Sequence, residues 1–156
     1  SERCQGCMGE NCQDCTNVSL LDMKQAVSSM LGSQTAFLKR AIRRLPLADG
    51  ARKKLTKAVR NLETDAAAIG SIVPDLVVVC PDDNGCSIFI QPLFSKYLVR
   101  SAKLSKKVRR AANAAALRSA DGRAANRYKK LAKRSAKYDS GVFQALSYAA
   151  GQEPLC

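Results

Sequence analysis

The chain has 156 residues, 46% of them hydrophobic, which suffices for a single domain with its own core. Its 26 Lys and Arg outnumber 13 Asp and Glu, and the net charge of +13 predicts acidic partners such as nucleic acid or acidic glycan. The absence of His removes the usual general base near neutral pH, the Ser-His-Asp and Cys-His pairs and most catalytic zinc sites. No Gly-rich phosphate loop is present. We therefore expect a protein that is not an enzyme and carries no cofactor.

Residues 1–18 contain four Cys, little apolar material and no hydrophobic periodicity. We expect a disulfide-stapled arm there, followed by a helical domain over residues 19–156. The spacing C-x2-C-x4-C-x2-C fits nested disulfides and also a thiolate metal site. The spacing does not decide between them, because four-Cys zinc sites normally separate their two C-x2-C pairs by a longer loop, and the plant-type iron–sulfur spacing C-x4-C-x2-C, which is also present, needs a suitably placed fourth Cys. We expect disulfides. The four cysteines are Cys4, Cys7, Cys12 and Cys15.

Two amphipathic helices are predicted next, over about 19–45 and 50–72. Apolar residues recur at steps of three and four, Pro46 and Pro74 follow the two patterns, and Asp49 is placed to cap the second helix. The first stripe is Leu20, Met23, Val27, Met30, Gln34, Leu38, Ala41 and Leu45. The second is Leu55, Val59, Leu62, Ala66 and Ile69. Together these helices predict an αα-hairpin.

A β-hairpin is predicted over 76–90, with strands at 76–80 and 86–90. Two short runs rich in Val and Ile bracket a turn of Pro, Asp, Asn and Gly, which is a strong hairpin signal. Cys80 and Cys86 would face each other across the strands, where a small adjustment reaches disulfide geometry. We expect that disulfide; the alternative is two reduced cysteines that pack as small apolar residues.

A second pair of helices is predicted over about 93–119 and 123–150, separated by Asp121-Gly122. The stripe of the third helix is Phe94, Tyr97, Leu104, Val108, Ala112 and Ala115. That of the fourth is Tyr128, Leu131, Ser135, Tyr138, Val142, Leu146 and Ala149. The expected fold is thus mostly α, with two αα-hairpins (four long helices), an inserted β-hairpin and a Cys-rich N-terminal arm.

The sharpest functional signal is a charge asymmetry, because residues 96–137 carry fifteen Lys or Arg and a single acid, Asp121. Like charges at i,i+4 destabilise a helix by about 0.2–0.5 kcal/mol per pair, and a polyanionic partner would relieve that repulsion. Helical periodicity places most of these cations opposite the apolar stripes, so the two C-terminal helices would present a cationic face. The predicted polyanion-binding residues are Lys96, Arg100, Lys103, Lys106, Lys107, Arg110, Arg123, Lys130, Lys133, Arg134 and Lys137.

The resulting hypothesis is a secreted or periplasmic protein that binds a polyanion, either nucleic acid such as DNA or an acidic glycan. The cysteine content favours an oxidising compartment, and a first residue Ser1 fits signal-peptide removal as well as simple Met excision or a trimmed chain. The longest apolar run with strand character, Leu76 to Cys80, is too short to span a bilayer.

The alternative hypothesis is a structural subunit of an extracellular fibre or surface assembly that is linked by cysteines. Seven Cys is an odd number, so three disulfides within the chain leave one thiol. Cys156 is the candidate for a bond to another chain, and a bond from Cys156 back to the arm is the other possibility. Self-association is therefore expected.

Overall fold

The computed structural model consists of four long helices: α1 (Asn11–Arg44), α2 (Asp49–Val79), α3 (Asp83–Arg118) and α4 (Gly122–Gly151). The structure describes the backbone of residues 11–79 and 83–151, and the side chains of residues 25–71 and 92–147. Each helix packs against the next, and α4 packs back against α1 to close the bundle. The short connections at 45–48 and 119–121 are typical of antiparallel neighbours. The prediction of a mostly α fold with four long helices is confirmed.

The turn between α1 and α2 is stabilised by one arginine. Pro46 disfavours helical geometry at Leu45, and α1 accordingly ends at Arg44. The guanidinium of Arg52 then donates hydrogen bonds to carbonyl oxygens at the end of α1, at 2.7 Å to Ile42 and 2.9 Å to Leu45. These carbonyls have no partner within the helix, so Arg52 fastens the start of α2 to the end of α1.

The turn between α3 and α4 is built by polar side chains. The hydroxyl of Ser119 donates to the carbonyl of Ala115 at 2.8 Å, just beyond the end of α3. The carboxylate of Asp121 accepts the backbone N–H of Arg123 at 3.0 Å, which is the hydrogen bond of a helix N-cap. The predicted break at Asp121-Gly122 is therefore observed.

The apolar stripes read from the sequence form the core where their side chains are described. All six residues predicted for the third helix are buried, including Tyr97 and Val108 at 0% exposure. In the second helix every predicted position except the half-buried Ala66 is buried. Even the two polar positions in the stripes, Gln34 and Ser135, are fully buried. A spacing of three and four residues thus identified the inward side of each helix.

The predicted β-hairpin over 76–90 is wrong. Residues 76–79 belong to α2 and residues 83–90 to α3, and the described residues contain no strand. A short run of Val and Ile fits a strand and a helical segment equally well by periodicity, and its residues cost a helix less than about 0.7 kcal/mol each relative to Ala. Both flanking helices were consequently predicted too short.

Pro74 was expected to lie beyond the end of the second helix, and Pro92 lies just before the predicted start of the third at about 93, but the helices run through both prolines. α2 continues past Pro74 to Val79, and α3 begins at Asp83, before Pro92. A proline removes one hydrogen bond, whereas every further residue of a growing helix adds one. The bonds gained on the far side therefore outweigh the one that is lost.

The Cys80–Cys86 disulfide was predicted because the two cysteines would face each other on neighbouring strands, and those strands are not present among the described residues. Cys80 lies outside the described residues, as does the side chain of Cys86. The bond stays a prediction.

The predictions for the other cysteines also fall outside what the structure describes. α1 begins at Asn11, eight residues before the predicted start, so part of the predicted arm has helical backbone. The arm disulfides, their metal-binding alternative and the intermolecular bond stay predictions. The side chains concerned are those of Cys4, Cys7, Cys12, Cys15 and Cys156.

Among the helices as described, none has a segment long and apolar enough to cross a bilayer.

Candidate functional site

The eleven cations predicted to bind a polyanion are all exposed. Nine of them lie farther than 4.0 Å from any carboxylate within the described side chains. Few carboxylates are available there, because residues 25–71 and 92–147 contain only five acids. They are Asp49, Glu63, Asp65, Asp121 and Asp139. The surface of the bundle is therefore strongly cationic.

Lys96 and Arg100 differ from the other nine, because both contact Asp65 on α2. Nη1 of Arg100 lies 2.9 Å and 3.2 Å from the two carboxylate oxygens, and Nζ of Lys96 lies 3.6 Å from Oδ1. The Asp65 side chain is 9% exposed, so its charge is largely shielded from water. These two cations offset a buried carboxylate and link α3 to α2, which leaves less of their charge for a ligand.

A groove between α1 and α4 gathers cations from both helices. Arg40 and Arg44 of α1 line one side, and Arg127, Lys130 and Arg134 of α4 line the other. None of the described lining residues is acidic, and the volume is about 670 Å³, within the usual range for ligand sites. We call it the basic groove; its remaining lining residues are Phe37, Ala41, Ala124, Tyr128 and Leu131.

Helix geometry explains how the cations line up along the basic groove. Arg40 and Arg44 are four residues apart, on the same side of α1 and about 6 Å apart along its axis. Arg127, Lys130 and Arg134 follow at steps of three and four, so they cover about 10 Å of α4. Small side chains at Ala41 and Ala124 leave space between these two rows.

An aromatic stack supports one end of the basic groove. The rings of Phe37 and Tyr138 lie with centroids 4.8 Å apart and planes inclined by 26°. The guanidinium carbon of Arg134 lies 5.5 Å from the Phe37 ring centroid, within cation–π distance. Phe37 is only 4% exposed, whereas Arg134 is exposed. Arg134 thus forms the outer layer of the stack and can present a guanidinium face to a ligand.

The prediction from sequence found part of this groove and missed the rest. It included Lys130 and Arg134 but assigned them to a face shared with α3, and it omitted Arg40, Arg44 and Arg127. The repeat Lys39-Arg40…Arg43-Arg44 was a usable signal, because basic residues four apart fall on one side of a helix. What the sequence could not supply is that α4 packs beside α1.

A partly buried polar network centres on the carboxylate of Asp139, whose side chain is 24% exposed. Its Oδ1 accepts hydrogen bonds from Gln34 Nε2 at 2.8 Å and from Ser105 Oγ at 2.7 Å, while Oδ2 pairs with Arg109. The hydroxyl of Tyr97 donates to Gln34 Oε1 at 2.9 Å. The network joins α1, α3 and α4 and fixes their register. Asp139 is the only acid between Asp121 and the end of the described side chains, and its carboxylate is already engaged in these contacts.

Tyr97 remains protonated within this network over the ordinary pH range. Burial, with smaller contributions from the negative charges of Asp139 and Asp65, raises the pKa of the Tyr97 hydroxyl far above its usual value. The hydroxyl therefore serves as a hydrogen-bond donor to Gln34.

Comparisons of the chain with known protein families, curated proteins and solved structures find no match.

Proposed function

We propose that this chain is a non-enzymatic protein that binds a polyanion through the cationic surface of its helical bundle. The supporting observation is the set of nine exposed cations on α3 and α4 that have no carboxylate within 4.0 Å among the described side chains. The basic groove adds three more, Arg40, Arg44 and Arg127. A secreted or periplasmic location, and covalent assembly through cysteines, remain separate predictions.

The unpaired charge disfavours the folded chain in the absence of a partner. Four cations lie on the exposed side of α3 at steps of three, one and three: Lys103, Lys106, Lys107 and Arg110. Two pairs of them are four residues apart, the spacing at which like charges repel. A phosphate or sulfate polymer would replace this repulsion by attraction and would release its own condensed counterions. Binding should therefore be tight at low salt and weaken steeply as salt rises.

The described acids support binding over acid/base catalysis. Glu63, Asp65 and Asp139 each contact a basic side chain, at 3.6 Å from Lys39 in the case of Glu63. Asp49 lies in the first turn of α2 and Asp121 caps α4, which are ordinary structural positions. These contacts and positions account for the five carboxylates among the described side chains without a catalytic role.

The experiment is a titration of heparin and of a 20-base-pair DNA duplex, followed by fluorescence anisotropy between 50 and 200 mM NaCl. Five phosphate contacts on a duplex predict a slope of log K against log salt near −4.5, so affinity should fall by about 500-fold over that range. A dissociation constant weaker than about 10⁻⁴ M for both ligands at 50 mM NaCl would contradict the proposal, because non-specific complexes are normally tighter even at physiological salt.

A pair of charge-matched variants tests where the ligand binds. Lys130→Gln with Lys133→Gln removes two exposed charges from α4, and Lys53→Gln with Lys57→Gln removes two from the exposed side of α2. We expect the α4 variant to lose about 10-fold in affinity for heparin and the α2 variant no more than about 2-fold, since only the former removes direct contacts. Equal losses would mean that net charge, and not the α4 surface, determines binding.

A further inference from the structure

We infer that the basic groove between α1 and α4 binds single-stranded nucleic acid, with a base stacked on the Arg134 guanidinium and phosphates on the cations of the two rims. This inference rests on the proposed function and specifies its ligand. It differs from the expectation drawn from sequence, which placed the ligand on the outer face of α3 and α4.

The cations along the two sides, or rims, of the basic groove are placed to bind phosphates. Arg40 and Arg44 on one side, and Arg127, Lys130 and Arg134 on the other, face a common space of about 670 Å³ with no acid among the described lining residues. Two opposed rows of cations produce a higher positive potential in the space between them than a single convex row does. The low-dielectric walls of the groove reduce the screening of these charges by water. A strand lying along the groove could contact both rows.

The apolar floor of the groove offers a surface on which a nucleobase can pack. Five of the ten lining residues are apolar or aromatic, namely Phe37, Ala41, Ala124, Tyr128 and Leu131. A ligand that offers charge alone, such as a sulfated glycan, would leave this surface unused. An unstacked nucleobase offers a flat apolar face, and base stacking on aromatic or guanidinium planes is the usual basis of single-strand binding.

Arg134 is already held in position for such stacking. Its guanidinium lies over the Phe37 ring, and the same ring is stacked with Tyr138. A base placed on the outer face of Arg134 would extend the stack by one layer without displacing Phe37, which is buried. Tyr128, six residues earlier on α4 and half-buried, is a second surface within the same groove.

A duplex fits these features less well than a single strand. In a duplex the bases are stacked on one another, so a protein groove of this kind meets only sugars and phosphates. The apolar floor would then contribute nothing. A single strand can direct its bases toward the apolar floor and its phosphates toward the cations of the rims, so it contacts both kinds of lining residue.

The test compares four probes of matched length on the full chain at 100 mM NaCl: a 12-nucleotide thymidine strand, a 12-nucleotide abasic strand, a 12-base-pair duplex and a heparin fragment. One well-stacked base is worth about 1–3 kcal/mol, so the thymidine strand should bind about 5- to 150-fold tighter than the abasic strand of the same charge. Equal affinities for these two strands would overturn the inference.

Two variants locate the effect. Arg134→Lys keeps the charge and loses the planar guanidinium, so it should weaken thymidine-strand binding about 5-fold or more and abasic-strand binding less than 2-fold. Ala124→Leu places a larger side chain in the groove and should weaken both strands. Lys53→Gln, on the exposed side of α2, is the control and should change the ratio between the two strands by less than 2-fold.

The outcomes separate this inference from the proposed function. If all four probes bind with a steep salt dependence but the thymidine strand has no advantage, polyanion binding stands and the single-strand groove is refuted. If none of the four probes binds when the titration is repeated at 50 mM NaCl, both fail. Far-ultraviolet circular dichroism of each variant checks its folding; should Arg134→Lys unfold, Ala124→Leu still decides, because unchanged binding of both strands by a folded Ala124→Leu protein would refute the groove.

Discussion

Replacing Asp139 by Ala removes the acceptor that joins side chains from α1 and α3 to α4. The carboxylate oxygen Oδ1 receives the Gln34 amide and the Ser105 hydroxyl, and both of these residues are 0% exposed. The Asp139 side chain itself is 24% exposed, so water that enters its place can supply part of the lost acceptor. A buried donor left without a partner costs about 1–3 kcal/mol, so two would cost about 2–6 kcal/mol, and the access of water makes the lower end, about 2 kcal/mol, the expected loss. Arg109, whose side chain is 31% exposed, can turn to solvent and adds less.

Asp139→Asn provides the contrast, because its amide oxygen can still accept from Gln34 and Ser105. That variant loses mainly the ion pair with Arg109, so we expect a loss of about 1 kcal/mol. Glu63→Ala is the control for charge, since it also removes one negative charge but breaks a pair with side chains 43% and 48% exposed; we expect about 0.5 kcal/mol. All three variants have the same net charge, so long-range repulsion affects them alike.

The assay is urea unfolding at pH 7, followed by far-ultraviolet circular dichroism and analysed by linear extrapolation. We expect Asp139→Ala to lose the most stability, Asp139→Asn less and Glu63→Ala least, with about 2 kcal/mol between the first two. If Asp139→Ala and Asp139→Asn were equally destabilising, the hydrogen bonds to Oδ1 would not be the source of the stability, and the reasoning from the network would be refuted.

Three further predictions concern Tyr97, Arg52 and Leu38. Because the folded chain holds the Tyr97 pKa above its unfolded value of about 10, unfolding releases a proton above pH 10, and the free energy of unfolding should fall by up to about 1.4 kcal/mol per pH unit there. Tyr97→Phe should show a shallower decline than the wild type in alkaline urea titrations; identical slopes would contradict this. Arg52→Ala should cost about 1.5–3 kcal/mol in urea unfolding because it leaves carbonyls of α1 without their charged donor, and Arg52→Lys should lose less; no difference from wild type in either variant would exclude the cap. Leu38→Ala, at a fully buried position, should cost about 2.7–5 kcal/mol, against less than about 0.5 kcal/mol for the exposed Leu117→Ala, and similar losses would argue against this core.

Local chemistry predicted the helices and their inward sides. The stripe through Phe94, Tyr97, Leu104 and Val108 is buried as expected, and Asp121 caps α4 as expected. Such features depend on residues within one or two turns of each other, so the sequence contains all that is needed to recognise them. The same reasoning failed at residues 76–90, where a run of Val and Ile between turn residues satisfied the criteria for strands but extends two helices.

The amino-acid sequence by itself determined a basic, four-helix chain, because charge, composition and apolar periodicity are properties of neighbouring residues. Only the tertiary structure decided which cations act together. Lys96 and Arg100 contact Asp65, thirty or more residues away, while Lys130 and Arg134 face Arg40 and Arg44 across a groove. These contacts and the groove exist because α4 packs against α1 and α3 packs against α2. The order of helices around a bundle depends on how whole helix surfaces fit together, and no local sequence pattern encodes that fit.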